Sequence, residues 1–91
     1  MKYIVRQTTR FRKELKKMLK RGAERAKLSA VVKMLAMGTP LPPQYRDHAL
    51  TGDMAGLRDC HITPDWILLY RIDGDVLVLT LTRTGTHSDL F

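Results

Sequence analysis

The sequence predicts an α+β domain, in which an N-terminal strand and an antiparallel helical hairpin pack on one face of a mainly antiparallel β-sheet. Three observations carry that expectation. Apolar residues recur at helical spacing between residues 9 and 37, alternate at strand spacing between 56 and 83, and a Pro-rich break separates the two regions. Ninety-one residues suffice for one core, so residues 1–91 are read as a single domain.

Tyr3-Ile4-Val5 is a short β-rich segment ending in a polar break. Thr8 or Thr9 suits the N-cap of a helix in which Phe11, Leu15, Met18 and Leu19 form the apolar stripe. Gly22 fits the position just past that helix, where a left-handed residue turns the chain. A second helix from about Ala23 to Met37 carries Leu28, Val31, Val32 and Leu35 on its stripe, and Gly38 ends it. Met18, Met34 and Met37 are read as core filler. Thr39-Pro40-Leu41-Pro42-Pro43 cannot be helical, because proline removes backbone donors and disfavours helix in the residue before it. His48 falls in the loop that follows. Three strands come next, at about Gly56 to Ile62, Trp66 to Ile72 and Val76 to Arg83. Thr63-Pro64-Asp65 joins the first two and Asp73-Gly74-Asp75 the last two, and Leu77, Leu79 and Leu81 share one face of the third. Trp66 and Tyr70 lie on the opposite parity from Ile67 and Leu69 and are read mostly as packing.

The net charge of +7 is unevenly spread. Residues 1–37 hold 12 Lys/Arg against Glu14 and Glu24, a balance of +10, whereas residues 38–91 balance at −3. The first half therefore reads as a surface for a polyanion, although a tightly bound acidic protein would explain the same charge. All three histidines, His48, His61 and His87, sit in the acidic half. A single cysteine, Cys60, leaves no pair for an internal disulfide and fits a reducing compartment. No apolar run approaches the ~20 residues that span a bilayer, and Met1-Lys2-Tyr3-Ile4-Val5-Arg6 has no signal-peptide core. The expected location is the cytoplasm, without membrane contact.

Cutting RNA without a metal requires a base for the ribose 2′-OH, an acid for the departing 5′-oxygen, and cations for the charged phosphorane. Histidine serves either proton role because its unperturbed pKa of about 6.5 lies near working pH. His48, His61, His87, Arg58, Arg83 and Asp65 supply such groups, and His87 lies four residues before Phe91, a ring suited to base stacking. Each has a plainer reading. His48 is a loop histidine, exposed by default. Asp59 and His61 share strand parity and could form the wet face of a half-buried sheet. Asp65 could only stabilise its turn. Arg83 ends an apolar row and either snorkels or faces a cleft. A metal site is disfavoured because no CxxC, HxxxH or HExxH spacing occurs, and Cys60 and His61 point to opposite faces of one strand. No nucleophile elbow supports a serine hydrolase. No cofactor is implied.

The stretch Tyr45 to Leu50, the run Gly56 to Tyr70 with its Asp-x-His-x-x-Pro-Asp-Trp pattern, and the ending Arg83-Thr84-Gly85-Thr86-His87-Ser88-Asp89-Leu90-Phe91 resemble the YafQ-like branch of the RelE/ParE toxin superfamily. The resemblance extends over nearly the whole chain, basic helical hairpin included. It implies a RelE-like fold and the toxin of a type II toxin–antitoxin pair, an endoribonuclease that enters the ribosomal A site and cuts mRNA there. The site histidines it implies are His48, His61 and His87, with Asp59 and Asp65 as acidic partners, Phe91 as terminal aromatic, and Arg58 and Arg83 at phosphate-holding positions. His87 is expected as general acid, His48 or His61 as base, and Asp65 as the group orienting an imidazole. Lys13, Lys16, Lys17 and Lys20 are expected to meet the ribosome. The implied partners are a cognate antitoxin, ribosomal RNA and mRNA, with DNA reached only through the antitoxin. A non-enzymatic toxin that occupies gyrase or the ribosome is the main competing reading; a DNA-binding domain is a weaker one, since no helix-turn-helix pattern is present.

Overall fold

The computed structural model describes all 91 residues. In chain order the elements are β1 (Ile4–Gln7), α1 (Thr9–Lys20), α2 (Arg25–Ala36), β2 (His48–Ala49), β3 (Arg58–Thr63), β4 (Trp66–Asp73), β5 (Val78–Gly85) and α3 (His87–Leu90), with single 3₁₀ turns at Pro43–Tyr45 and Gly52–Met54. The five strands form one sheet in the order β1-β5-β4-β3-β2. β1 runs parallel to β5, and every other pairing is antiparallel. No helix is long and apolar enough to cross a membrane.

The helices start and stop for local reasons. Thr8 caps α1, its Oγ1 accepting from the Phe11 amide at 2.9 Å while its hydroxyl donates to the Thr82 carbonyl at 2.8 Å. One side chain therefore satisfies a free helix-end amide and ties the helix start to β5. Gly22, at φ +97°, ends α1. Its amide bonds the Leu19 carbonyl and that of Ala23 bonds the Met18 carbonyl, both at 3.1 Å, the paired closure that a left-handed glycine permits. Gly38 closes α2 the same way, through Gly38 to Leu35 and Thr39 to Met34.

Phe11, Leu15, Met18, Leu28, Val31 and Leu35 bury their stripes against Cys60, Ile62, Trp66, Leu68, Tyr70, Leu79 and Leu81. This is the principal core, and it occupies one face of the sheet. The other face carries a smaller cluster, Ile67 and Leu69 under Leu90 of α3, flanked by Leu50 and Met54. The helical hairpin packs on one face, as expected, and α3, which the sequence reading did not include, covers part of the other.

Two further corrections concern strands. His48 lies in a two-residue strand paired with β3, not in a free loop. Leu77 does not share the buried face of Leu79 and Leu81. It stands 46% exposed at φ +54°, because the turn between β4 and β5 runs through Leu77 and its carbonyl accepts from the Ile4 amide at 2.8 Å. Asp73 Oδ1 accepts from the Asp75 amide at 3.0 Å inside that turn.

Candidate functional site

Cross-strand pairing lines up residues from four strands. His48 faces Asp59, Asp59 faces Leu69, and Leu69 faces Arg83. Directly opposed residues project from the same side of a sheet, so histidine, carboxylate and arginine share the face that bears the smaller cluster. The next row is His61, Ile67 and Gly85. Two residues beyond Gly85 the chain enters α3, and Leu90 seats that helical turn on Ile67 and Leu69.

α3 is short but firmly built. Thr86 Oγ1 accepts from the Asp89 amide at 3.2 Å, and Asp89 Oδ2 accepts from the Thr86 amide at 3.0 Å, a reciprocal cap. Arg21, just past the end of α1, donates to the same Asp89 oxygen at 2.9 Å. The Thr86 amide and hydroxyl, followed by Arg21, hold the Asp89 carboxyl down at about 2. Gly85 leaves room for this arrangement, since a Cβ there would lie 3.0 Å from the Cβ of Asp89. The result fixes His87 at the first helical position, its ring 5.2 Å from that of Phe91 at an interplanar angle of 36°. Phe91 remains half exposed.

Asp59 is the hub of the site. It is only 4% exposed, and its Oδ1 accepts no hydrogen bond but lies 3.5 Å from His61 Nε2. Burial pushes its carboxyl above the usual range, while charge on His48, His61 and His87 pulls it back. All three histidines therefore lie within electrostatic reach of one carboxylate. His48 Nδ1 sits 2.6 Å from the Arg46 carbonyl. A carbonyl only accepts, so Nδ1 carries the proton and Nε2 of the neutral ring is left as a free base. His61 differs: its Nδ1 is buried without a partner, and its Nε2 faces Asp59.

The remaining expected residues separate. Arg83 lies on the row but is engaged by Glu14 of α1, with Nη2 to Oε2 at 2.6 Å and Nε to both oxygens at 3.2 Å. Arg58 belongs to the opposite face, with Cys60 and Tyr70, and bonds Asp47 and the Tyr70 hydroxyl. It does not join the row, because strand alternation sends neighbours Arg58 and Asp59 to opposite sides. Asp65 is exposed in the β3–β4 turn and shares a depression of about 380 Å³ with Arg21, Lys27 and Thr86. Asp59, rather than Asp65, makes the carboxylate–imidazole contact.

Lys13, Lys16, Lys17 and Lys20 are exposed along α1. Lys17 also lines a cavity of about 210 Å³ with Glu14, Arg83 and Asp89, which joins the basic helix to the end of the histidine-bearing face. No group of three or more His, Cys, Asp or Glu is arranged to hold a metal ion.

Sequence reasoning passed over Glu14, Asp47, Tyr70 and the Arg21–Asp89 pair as contributors. Thr86-x-x-Asp89 is itself a helix-capping pattern and signals α3. Glu14 is the sole acid in α1, a local signal too, though its partner lies 69 positions away.

Residues 3–91 match the family described as bacterial toxin of type II toxin-antitoxin system, YafQ. The mRNA interferase toxin YafQ of Escherichia coli strain K12 is 42% identical over 82 residues, which cover 89% of this chain and 87% of that protein. The crystal structure of a metal-bound toxin from Helicobacter pylori superposes with a TM-score of 0.91 at 39% identity, covering 98% of this chain and 99% of that one. The toxin fold in the crystal structure of the E. coli DinJ-YafQ complex matches with a TM-score of 0.89 at 37% identity, covering 98% of each chain.

Proposed function

The chain belongs to the YafQ family of type II toxin–antitoxin toxins, and from that premise we propose that it cuts mRNA in the ribosomal A site by acid/base catalysis and is restrained by a cognate antitoxin. The observation that carries the catalytic reading is that His48 pairs across strands with the buried Asp59, His61 Nε2 lies 3.5 Å from that carboxylate, and His87 starts the helical turn seated on the same face.

In this reading His48 Nε2 takes the proton from a ribose 2′-OH. The 2′-oxygen attacks the adjacent phosphorus, the bond from phosphorus to the 5′-oxygen breaks, and protonated His87 delivers its proton to that oxygen. The products are a 2′,3′-cyclic phosphate and a 5′-hydroxyl. Asp59, 3.5 Å from His61 Nε2, sets that ring on the face where the phosphate is held. Arg83 adds a cation from the same row, and Phe91 offers a ring on which a neighbouring base stacks. Asp65 lines a depression with Thr86, the residue before His87, and lies apart from the contact of Asp59 with His61. The lysines of α1 dock ribosomal RNA, and Lys17 brings that surface up to Arg83.

The test is to supply one mRNA with and without translating ribosomes and map its ends after adding the toxin. Cuts that appear only with ribosomes, in the A-site codon, are the expected result. Blocked translation on intact mRNA would instead assign the toxin to target occupancy, and equal cutting of free mRNA would remove the ribosome from the mechanism.

A further inference from the structure

Arg58 and Tyr70 are polar groups that the catalytic reading leaves unused, and both face away from the histidines. Tyr70 is 1% exposed in the principal core, yet its hydroxyl donates to Asp47 Oδ1 in a short hydrogen bond. Arg58 forks onto the same carboxylate, with Nη2 to Oδ2 at 3.1 Å and Nε to Oδ1 at 3.3 Å, and its Nε also lies 3.3 Å from the Tyr70 oxygen. Burial, and then the bond to Asp47, push the Tyr70 phenol up, so it stays a donor. Asp47 is therefore held by three contacts from β3 and β4.

Asp47 stands between His48 and Arg46, the residue whose carbonyl sets the His48 ring. Arg46 adopts a left-handed backbone, φ 49° and ψ 38°, where it closes the 3₁₀ turn, and its carbonyl meets His48 Nδ1. A left-handed arginine is strained, and such a conformation persists only where its surroundings hold it. β2 supplies little restraint of its own, since it pairs with β3 at only two positions.

We propose that Asp47, Arg58 and Tyr70 are positioning residues for His48: by anchoring residue 47 from the opposite face of the sheet they hold the Arg46 carbonyl against Nδ1 and keep Nε2 free to act as base. This deepens the assignment of His48 as base and rests on it. It also gives Arg58 a role other than phosphate contact. The carboxylate is the fixed point, the arginine and tyrosine are its clamps, and the histidine is the group they aim.

The full chain is compared with Tyr70→Phe, Asp47→Asn, Arg58→Lys and Arg58→Gln. The His48 ring nitrogens are followed by NMR, and cleavage is measured on ribosomes. Tyr70→Phe removes one hydroxyl and keeps the buried ring, so it remains folded even where Asp47→Asn does not. The expected result is a single Nδ1–H tautomer of His48 in the wild type, a mixture of tautomers in Tyr70→Phe, and kcat lower by roughly 10-fold or more with KM little changed. Arg58→Lys keeps a cationic donor to Asp47 and should lower kcat less than Asp47→Asn, whereas Arg58→Gln removes the charge and should leave the salt dependence of RNA binding unchanged. A His48 tautomer that is the same in the wild type, Tyr70→Phe and Asp47→Asn overturns the proposal. So does a salt slope reduced by about one phosphate contact in Arg58→Gln, which removes the charge. The NMR readout needs no cutting, so a wild type that leaves mRNA intact would count against the catalytic reading alone.

Discussion

Asp59 Oδ1 lies 3.5 Å from His61 Nε2 yet accepts no hydrogen bond, in a carboxylate that is almost wholly buried. A buried ionised group without a partner destabilises the fold, and an active site is where such a cost is retained. The sign follows from the direction of the shift. Burial raises the folded-state pKa of Asp59, so the folded form binds its proton more tightly than the unfolded chain. The stabilisation from protonation is complete below the unfolded value, about 3.9, and is lost as pH rises through the raised folded value. Asp59→Asn should therefore raise the neutral-pH melting temperature, by about 4–8 °C for each kcal/mol recovered, while slowing cleavage. Calorimetry alongside ribosomal cleavage checks both; a variant that melts lower with undiminished activity contradicts the assignment.

The ion pair of Glu14 and Arg83 makes a second expectation. Glu14→Ala removes the one acid of α1 and leaves Arg83 free for phosphate. Binding of an RNA oligomer should tighten, and the slope of log affinity against log salt should steepen by roughly 0.7–0.9. Titrations at several salt concentrations measure that slope, and an unchanged value would mean that Arg83 does not reach the backbone.

α3 should behave as a separable unit. Thr86→Ala removes the hydroxyl that accepts from the Asp89 amide and should cost about 1 kcal/mol locally, with little change in the global melting temperature. His87 and Phe91 then lose their fixed placement, so cleavage should fall far more than stability. The depressed Asp89 carboxyl gives the same segment a pH signature. Its stabilisation is present above the unfolded value, about 3.9, and is lost as pH falls toward its folded value of about 2. Amide exchange at residues 89–91 should accelerate in that acid window before the core strands open.

Much of this fold was legible because helix and strand leave different periods. Phe11, Leu15 and Met18 mark α1, and both helix-ending glycines fall where backbone closure needs them. β2 was not legible, since a strand of two residues carries no period and its partner Asp59 is 11 positions away. α3 carries its cap in Thr86 and Asp89, but four residues are too few to show a helical period. Arg58 teaches the reverse: family likeness suggested phosphate contact, whereas alternation from Asp59 and His61 already put it on the other face. Leu77 fits the alternation, and the geometry of a turn overrode it.

Deletion of Phe91 isolates the aromatic wall. The ring is half exposed and contributes little to the core, so the shortened chain should melt close to the wild type. Loss of one stacked base is worth about 1–3 kcal/mol, which corresponds to roughly 5- to 150-fold in cleavage efficiency. A chain that loses stability and activity in proportion would make Phe91 a structural residue instead.

The central claim is that His87 donates the proton that releases the 5′-oxygen. Its most direct test is to map mRNA ends in a translation reaction with wild type and with His87→Ala at matched ribosome occupancy. The expected result is intact mRNA on ribosomes that still bind the variant, with cutting reduced roughly 10²-fold or more. Cutting at near wild-type rate by His87→Ala would contradict the account and return the acid role to another group.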